Sequence, residues 1–455
     1  MSSTDNNLAS RRDFIKVAGG VAAASTLTGL SMPSVHAAGA DTIQVALVGC
    51  GGRGSGAAVN ALSTKSGPIK LVAMGDAFPD RLKSSYEGLK REMGDKMDVP
   101  EDRRFIGYDA YKKAMDCLKP GDVVILTTPP AFRWVHFTYA IEKKLNVFME
   151  KPVTVDGPTS KKMLKLAEEA TAKNLKVGVG LMSRHARPLQ ELHKRIQDGE
   201  LGDIILMRGY RMHGPVGFFE SPPKPDNISD LDYQIRRFHS FLWASGGNYS
   251  DFYIHIIDHL SWMKNSWPIK AQALGGRHYR GQSIDQNLDT YSVEYTFADG
   301  SKFLFDGRCM NGTTGIYSSY IHGSKGIAVA SRSNDCGGPS AIYRGQNVDS
   351  ANVVWQSKDS SNPYQNEWDE LVQAIRDNKP YNEVKRGVEA SVATSMGRMA
   401  AHTGVEITFD QMLNSEHEFA PGLDKLTKET PAPLQPNAQG HYPIPQPGIV
   451  TNREY

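Results

Sequence analysis

Thr42-Ile-Gln-Val-Ala-Leu-Val48 runs directly into Gly49-Cys50-Gly51-Gly52-Arg53-Gly54, and Ala57-Ala58-Val59 follows with helical character. A β-branched, apolar run of this kind reads as a buried strand. The six residues after it fit G-x-G-x-x-G, which is informative only between a strand and a helix. In that setting Gly49 permits the tight turn and Gly51 lets the backbone approach a pyrophosphate. Gly54 lets the helix pack on the strand. Gly52 and Arg53 complete the loop. The first N–H groups of the helix then face an anion, and Arg53 either adds charge there or is a solvated loop arginine. Asp76 lies about 20 positions further on, at the end of a second strand, where a carboxylate accepts hydrogen bonds from an adenosine ribose. Its charge disfavours a 2′-phosphate, so the expected cofactor is NAD, with NADP as the alternative because Arg81 follows closely. The competing reading is a glycine-rich turn plus an ordinary helix-capping aspartate.

Working outward, strands are predicted at 68–74, 122–126, 146–149 and 177–180, with helices over 80–93, 136–144 and 159–174. Strands alternating with helices imply a doubly wound parallel sheet. After about residue 187 the texture changes. Longer strands are predicted over 204–212, 269–279, 290–297 and 302–308, with a hairpin turn at Ala298-Asp299-Gly300. Helices are predicted over 189–198, 252–263, 366–377 and 388–402. The expected fold class is therefore α/β: an N-terminal Rossmann sheet over 42–185, then an α+β domain with a mostly antiparallel sheet over 186–420. Residues 421–455 are a proline-rich tail, expected on a surface or without order.

The chain has 455 residues, 40% of them hydrophobic, and a net charge of +2. It carries no basic stripe, which argues against a nucleic-acid partner. The four cysteines show no metal-ligand spacing, and no metal is expected. Cys309 and Cys336 are disulfide candidates, with isolated buried thiols as the alternative. Ser10-Arg-Arg-Asp-Phe-Ile-Lys16, a weakly apolar stretch to Leu30 and Ser34-Val35-His36-Ala37 have the layout of a cleaved leader over 1–37. The paired arginines resemble the twin-arginine export motif, which implies a periplasmic or otherwise extracytoplasmic location. The apolar stretch is too short and broken for a membrane anchor.

Three further groups stand out. Glu150-Lys151-Pro152 follows a strand directly. Asp251, His255 and Asp258 lie in Gly246-Gly-Asn-Tyr-Ser-Asp-Phe-Tyr-Ile-His-Ile-Ile-Asp258, with 251 and 255 on one helical face. Thr127-Thr128-Pro129-Pro130 closes the strand at 122–126. A histidine suits general-base work on a hydroxyl near neutral pH. An aspartate one turn away orients it, and a lysine stabilises charge growing on the reacting oxygen. The alternatives are a strand-end charge for Glu150, a solvated lysine for Lys151, and a metal cluster formed by Asp251, His255 and His259.

Together with the glycine loop, these residues resemble the Gfo/Idh/MocA oxidoreductases over about 42–410. The resemblance implies Lys151 and His255 beside a nicotinamide ring, with Asp251 completing the set. Thr128, Pro129, Arg133 and Glu150 would border the cofactor. The family usually has a histidine where this chain has Arg133. Arg184, Arg236, Arg237, His239, Trp243 and Asp258 are candidates for the substrate pocket, with salt bridging or core packing as their plain readings. The implied activity is hydride transfer between NAD(P) and a sugar or polyol hydroxyl. If the chain is exported, its cofactor must be kept and recycled in place. Two alternatives follow from relatives: cleavage of a glycoside through transient oxidation of a sugar carbon, and a non-catalytic dinucleotide sensor. The resemblance also implies a homo-oligomer, a dimer or tetramer.

Overall fold

Strand β1 (Ile43–Val48) is almost wholly buried and pairs in parallel with β2 (Ile69–Asp76). A strand covered on both faces is apolar along its length, which is why 43–48 shows no alternation. The computed structural model describes residues 41–278 and 280–455; the expected leader over 1–37 lies outside them. Helices α1 (Gly52–Leu62), α2 (Pro79–Met93), α3 (Ala110–Asp116), α4 (Arg133–Glu142) and α5 (Gly157–Ala172) alternate with β3 (Arg104–Ile106), β4 (Val123–Leu126), β5 (Asn146–Met149) and β6 (Val177–Val179). The six strands form a parallel sheet ordered β3-β2-β1-β4-β5-β6. The order reverses between β1 and β4, and a crevice opens beyond the carboxyl ends of those strands.

After α6 (Arg187–Gln197) the chain enters β7 (Ile204–His213), then an excursion containing α7 (Asp230–Arg236) and α8 (Leu242–Ser245). The long helix α9 (Gly247–Lys264) follows. Strands β8 (Lys270–Gly276), β9 (Thr290–Thr296), β10 (Lys302–Cys309), β11 (Ile316–Gly323), β12 (Gly326–Ser331), β13 (Ala341–Arg344), β14 (Val353–Gln356) and β15 (Ile407–Thr408) complete a second sheet. Its order is β14-β13-β12-β11-β7-β10-β9-β8-β15, antiparallel except for the β7–β10 pair. One face is apolar by alternation: Tyr291, Val293 and Tyr295 on β9 and Phe303 and Phe305 on β10 are buried. The other face leaves Leu274 and Ile205 exposed.

Helices α10 (Pro363–Arg376) and α11 (Val384–Thr403) return toward the first sheet. Trp368, Leu371, Val372 and Ile375 of α10 share a core with Val45, Leu47 and Phe148. This segment, assigned from sequence to the second half, thus closes the core of the first. The tail is anchored at several points. Gln234 and Gln286 donate to the carbonyls of Leu434 and Pro443, and Glu454 is buried against Arg398 and His402 at 2.7–2.8 Å. Prolines cannot join a ladder, but their carbonyls still accept. All four cysteines are free thiols, so Cys309 and Cys336 are not bridged. Among the described residues, no helix is long and apolar enough to cross a membrane.

Candidate active site

The turn after β1 is built on two tight approaches. Gly49 adopts φ +97°, and a Cβ there would stand 2.7 Å from the backbone of Thr127. A Cβ on Gly54 would stand 2.0 Å from the Gly49 carbonyl oxygen. Gly51 and Gly52, by contrast, face open space. Helix α1 begins there with no side-chain cap, so its first N–H groups point into the crevice unclaimed. Asp76 binds the loop to the end of β2, accepting from Cys50 N–H at 2.6 Å and Phe78 N–H at 2.8 Å. Burial raises the Asp76 pKa, and these two N–H donors offset only part of that rise.

One cavity of about 870 Å³ runs from this loop across the ends of β1, β4 and β5 to helix α9. It is lined by Gly49, Gly51, Gly52, Arg53, Gly54, Asp76, Thr128, Pro129, Arg133, Glu150, Lys151, Asp251 and His255. Residues from three separate sequence motifs therefore share one wall. Two arginines on it have their charge committed within the protein. Arg53 donates to Glu150 at 2.5 Å, approaches Glu367 at 3.3 Å and lies over the Tyr364 ring. Arg133, expected to border the cofactor, lines the cavity and donates to the carbonyls of Leu126 (2.7 Å) and Thr128 (2.9 Å). It braces the β4 loop that carries Thr128 and Pro129.

At the α9 end, Lys151 Nζ donates to the Asp251 carbonyl at 2.6 Å and stands 4.0 Å from its carboxylate. His239 Nε2 lies 3.0 Å from the other Asp251 oxygen. Burial alone would raise the Asp251 pKa, but Lys151 and His239 outweigh it and the carboxyl ends below its usual value. Burial, reinforced by Lys151 and Arg211, pushes His255 well below the ordinary imidazole range. Its Nδ1 is buried with no hydrogen-bond partner among the described residues. The constellation is a neutral imidazole and an ammonium, with a carboxylate fixed one helical turn from the imidazole.

Of the six proposed substrate contacts only His239 lines this cavity; Arg184, Arg236, Arg237, Trp243 and Asp258 do not. Arg184 and Asp258 are bonded to each other through three contacts of 2.7–3.0 Å, with Asp258 fully buried. Arg237 is held by Ser221 Oγ and the Glu220 carbonyl. Trp243 is fully buried and donates to Gln234 at 2.8 Å. Arg184 and Asp258 are thus committed to an ion pair, Trp243 to the core, and Arg237 to neutral hydrogen bonds. Among the described residues, no cluster of three or more His, Cys, Asp or Glu is arranged to hold a metal ion. His259 bonds Ser319 at 2.9 Å.

The structure also adds residues. Arg211 of β7, Asp335 of the β12–β13 loop and Tyr364 of α10 line the cavity. Nothing local in the sequence marks Asp335 or Tyr364; Arg211 sits at a polar position of a strand and is visible only as that. The 214–246 excursion spans the Asp76 end. Arg236 pairs with Asp80 through two bonds of 2.8 and 2.9 Å, Arg81 donates to the Arg236 carbonyl, and Tyr108 donates to Asp232 at 2.6 Å. Arg236 holds the Asp80 carboxyl down at about 2.

Residues 43–181 match the family model described as GFO_IDH_MocA, "Oxidoreductase family, NAD-binding Rossmann fold". An inositol 2-dehydrogenase of Corynebacterium glutamicum is 24% identical over 192 residues, 40% of this chain and 55% of that protein. Inositol 2-dehydrogenase 4 of Saccharopolyspora erythraea is 30% identical over 208 residues, 45% of this chain and 54% of that protein. The aligned stretches thus span about half the length of these two relatives. Among solved structures, the aldose–aldose oxidoreductase of Caulobacter crescentus complexed with glycerol superposes with TM-score 0.61 at 15% identity. That match covers 81% of this chain and 100% of the other. The scyllo-inositol dehydrogenase of Lactobacillus casei with NAD(H) and scyllo-inositol gives 0.59 at 19% identity, over 81% and 100%. At these identities the superpositions establish the two-sheet fold.

Proposed function

We propose that the chain is a Gfo/Idh/MocA-type dehydrogenase that binds NAD on the β1 glycine loop and oxidises a hydroxyl of a sugar or polyol. The observation carrying this reading is the convergence of Lys151, Asp251 and His255 on the cavity that begins at that loop. The residues fit a dinucleotide. Gly51 and Gly52 face open space, the uncapped α1 would offer its N–H groups to the pyrophosphate, and Asp76 lines the same cavity at the end of β2, where it would accept from the ribose. NAD, when bound, supplies the hydride acceptor. The neutral imidazole of His255 takes the hydroxyl proton. Lys151 Nζ spends one donor on the Asp251 carbonyl and keeps the others for the reacting oxygen. Asp251, held between Lys151 and His239, fixes that ammonium in place.

Cofactor retention belongs to the same proposal. The Asp80–Arg236 and Tyr108–Asp232 contacts tie the 214–246 excursion across the adenosine end. Slow release suits a twin-arginine-exported protein, the reading we give to residues 1–37, because its NAD would need recycling in place. Protein purified without added cofactor, then denatured, should release near-stoichiometric NAD(H) by mass spectrometry. A protein that comes out empty and also fails to bind either dinucleotide in titration contradicts the reading.

A further inference from the structure

Asp335 reaches the cavity from the short loop between β12 and β13, in the half of the chain no motif covers. The loop is internally braced. Ser331 Oγ donates to the Asn334 carbonyl at 2.6 Å, Arg332 N–H to Gly337, and Cys336 N–H to the Asn334 side chain. Asn334 takes the left-handed conformation such a loop needs, φ 52°. The carboxylate is therefore presented by a fixed scaffold.

Its neighbours are fixed as well. Tyr317 Oη and Arg211 Nη1 both donate to Asp335 Oδ1. Tyr317 and Arg211 are direct cross-strand partners on β11 and β7. The Arg211 guanidinium is sandwiched between the rings of Tyr317 (4.6 Å) and Phe252 (5.3 Å). It also donates to the Phe252 carbonyl at 2.5 Å, on the helix that carries Asp251 and His255. Among the described residues, Asp335 Oδ2 and Arg211 Nη2 make no hydrogen bond, and neither is among the sealed, partnerless buried atoms. Both residues line the cavity, so the pair offers a ligand one carboxyl acceptor and one guanidinium donor from neighbouring side chains. That pair complements a vicinal diol, in which one hydroxyl donates and its neighbour accepts. A substrate carboxylate in place of that diol brings no donor for Asp335 Oδ2, and because Arg211 and Lys151 accompany Asp335 and Asp251, the discrimination comes from this hydrogen-bond mismatch rather than from net charge.

Building on the dehydrogenase reading, we propose that Asp335, held by Tyr317 and Arg211, is the specificity-determining residue that selects a neutral vicinal diol over a sugar acid. The test uses the full chain with NAD and a panel of myo-inositol, glucose, glucuronate and gluconate. Asp335→Asn, nearly isosteric, should raise KM for the neutral substrate that wild type prefers by about tenfold or more. It should shift the acid-to-neutral kcat/KM ratio toward the acids by a similar factor, while NADH titration keeps its affinity. Tyr317→Phe should move both in the same direction by about threefold. The proposal is overturned if Asp335→Asn leaves both the neutral-substrate KM and the ratio within about twofold, or if wild type prefers the acids. A wild type that oxidises no compound of either kind rejects the dehydrogenase reading itself, and the subsite with it.

Discussion

The two ends of the cavity are assembled in different ways. The dinucleotide end comes from one contiguous stretch, 48–54, whose glycines act through backbone geometry, plus the Asp76 carboxylate at the tip of the neighbouring strand. The reaction end gathers Lys151, His239, Asp251, His255, Arg211 and Asp335 from five separate segments, and each acts through its side chain. Backbone geometry is encoded locally and survives reading by eye. Charge depends on which partner the fold delivers. Arg53 and Arg133 make the point: both are in the cavity, yet Arg53 is paired with Glu150 and Glu367, and Arg133 is spent on two carbonyls.

This contrast predicts the sizes of mutational effects. The largest belongs to the reaction end: Lys151→Met should lower kcat/KM by about 10³-fold with the NAD dissociation constant nearly unchanged, measured by steady-state kinetics and titration. Equal losses in both would erase the distinction between the ends. Next comes Gly54→Ala, whose methyl collides with the Gly49 carbonyl oxygen. It should cost about 2 kcal/mol of stability in denaturant melts and weaken NAD binding tenfold or more. Smaller again is the contact joining the excursion to α2. Arg236→Ala removes a half-exposed ion pair, and NADH release in stopped flow should quicken by about fivefold, less at high salt. Arg237→Ala, outside the cavity, should change substrate KM by less than about twofold.

The least change is expected in a pH profile. A general base works only while unprotonated, and burial plus Lys151 and Arg211 hold His255 well below 6.5. It stays neutral as pH falls through 6.5, so kcat/KM should show no acid limb there. A limb centred near 6.5 that vanishes in a His255 variant would mean the imidazole is far less desolvated than its burial indicates.

Both sheets, the alternation of the first and the antiparallel character of the second were legible because burial on two faces or one leaves different patterns. Strand β3, only three residues long, and strands β11–β14 were not foreseen. Serines and glycines in 316–326 blur the period-two signal that marks a strand. Lys151, Asp251 and His255 were legible from spacing and resemblance, and the structure brings them together. Arg184, Arg236, Arg237, Trp243 and Asp258 do not line the cavity, and a polar or aromatic residue near that helix looks alike in sequence whether it faces the chamber or a neighbouring side chain. Asp335 and Tyr364 arrive from distant segments, and no local pattern announces such contacts. The buried Glu454 pair with Arg398 was hidden in a tail whose prolines suggested chain lying on a surface or without order.

The central claim is that one cavity holds a dinucleotide at the glycine loop and a hydroxyl substrate at Lys151 and His255. Its most direct test is a single turnover: protein loaded with one equivalent of NAD, mixed with each polyol in turn, followed by the near-ultraviolet absorbance of reduced nicotinamide. The account predicts reduction with at least one polyol in the wild type, and none on the same timescale in Lys151→Met with NAD still bound. Equal reduction by the wild type and Lys151→Met, or none with any polyol by an NAD-loaded wild type, would contradict it.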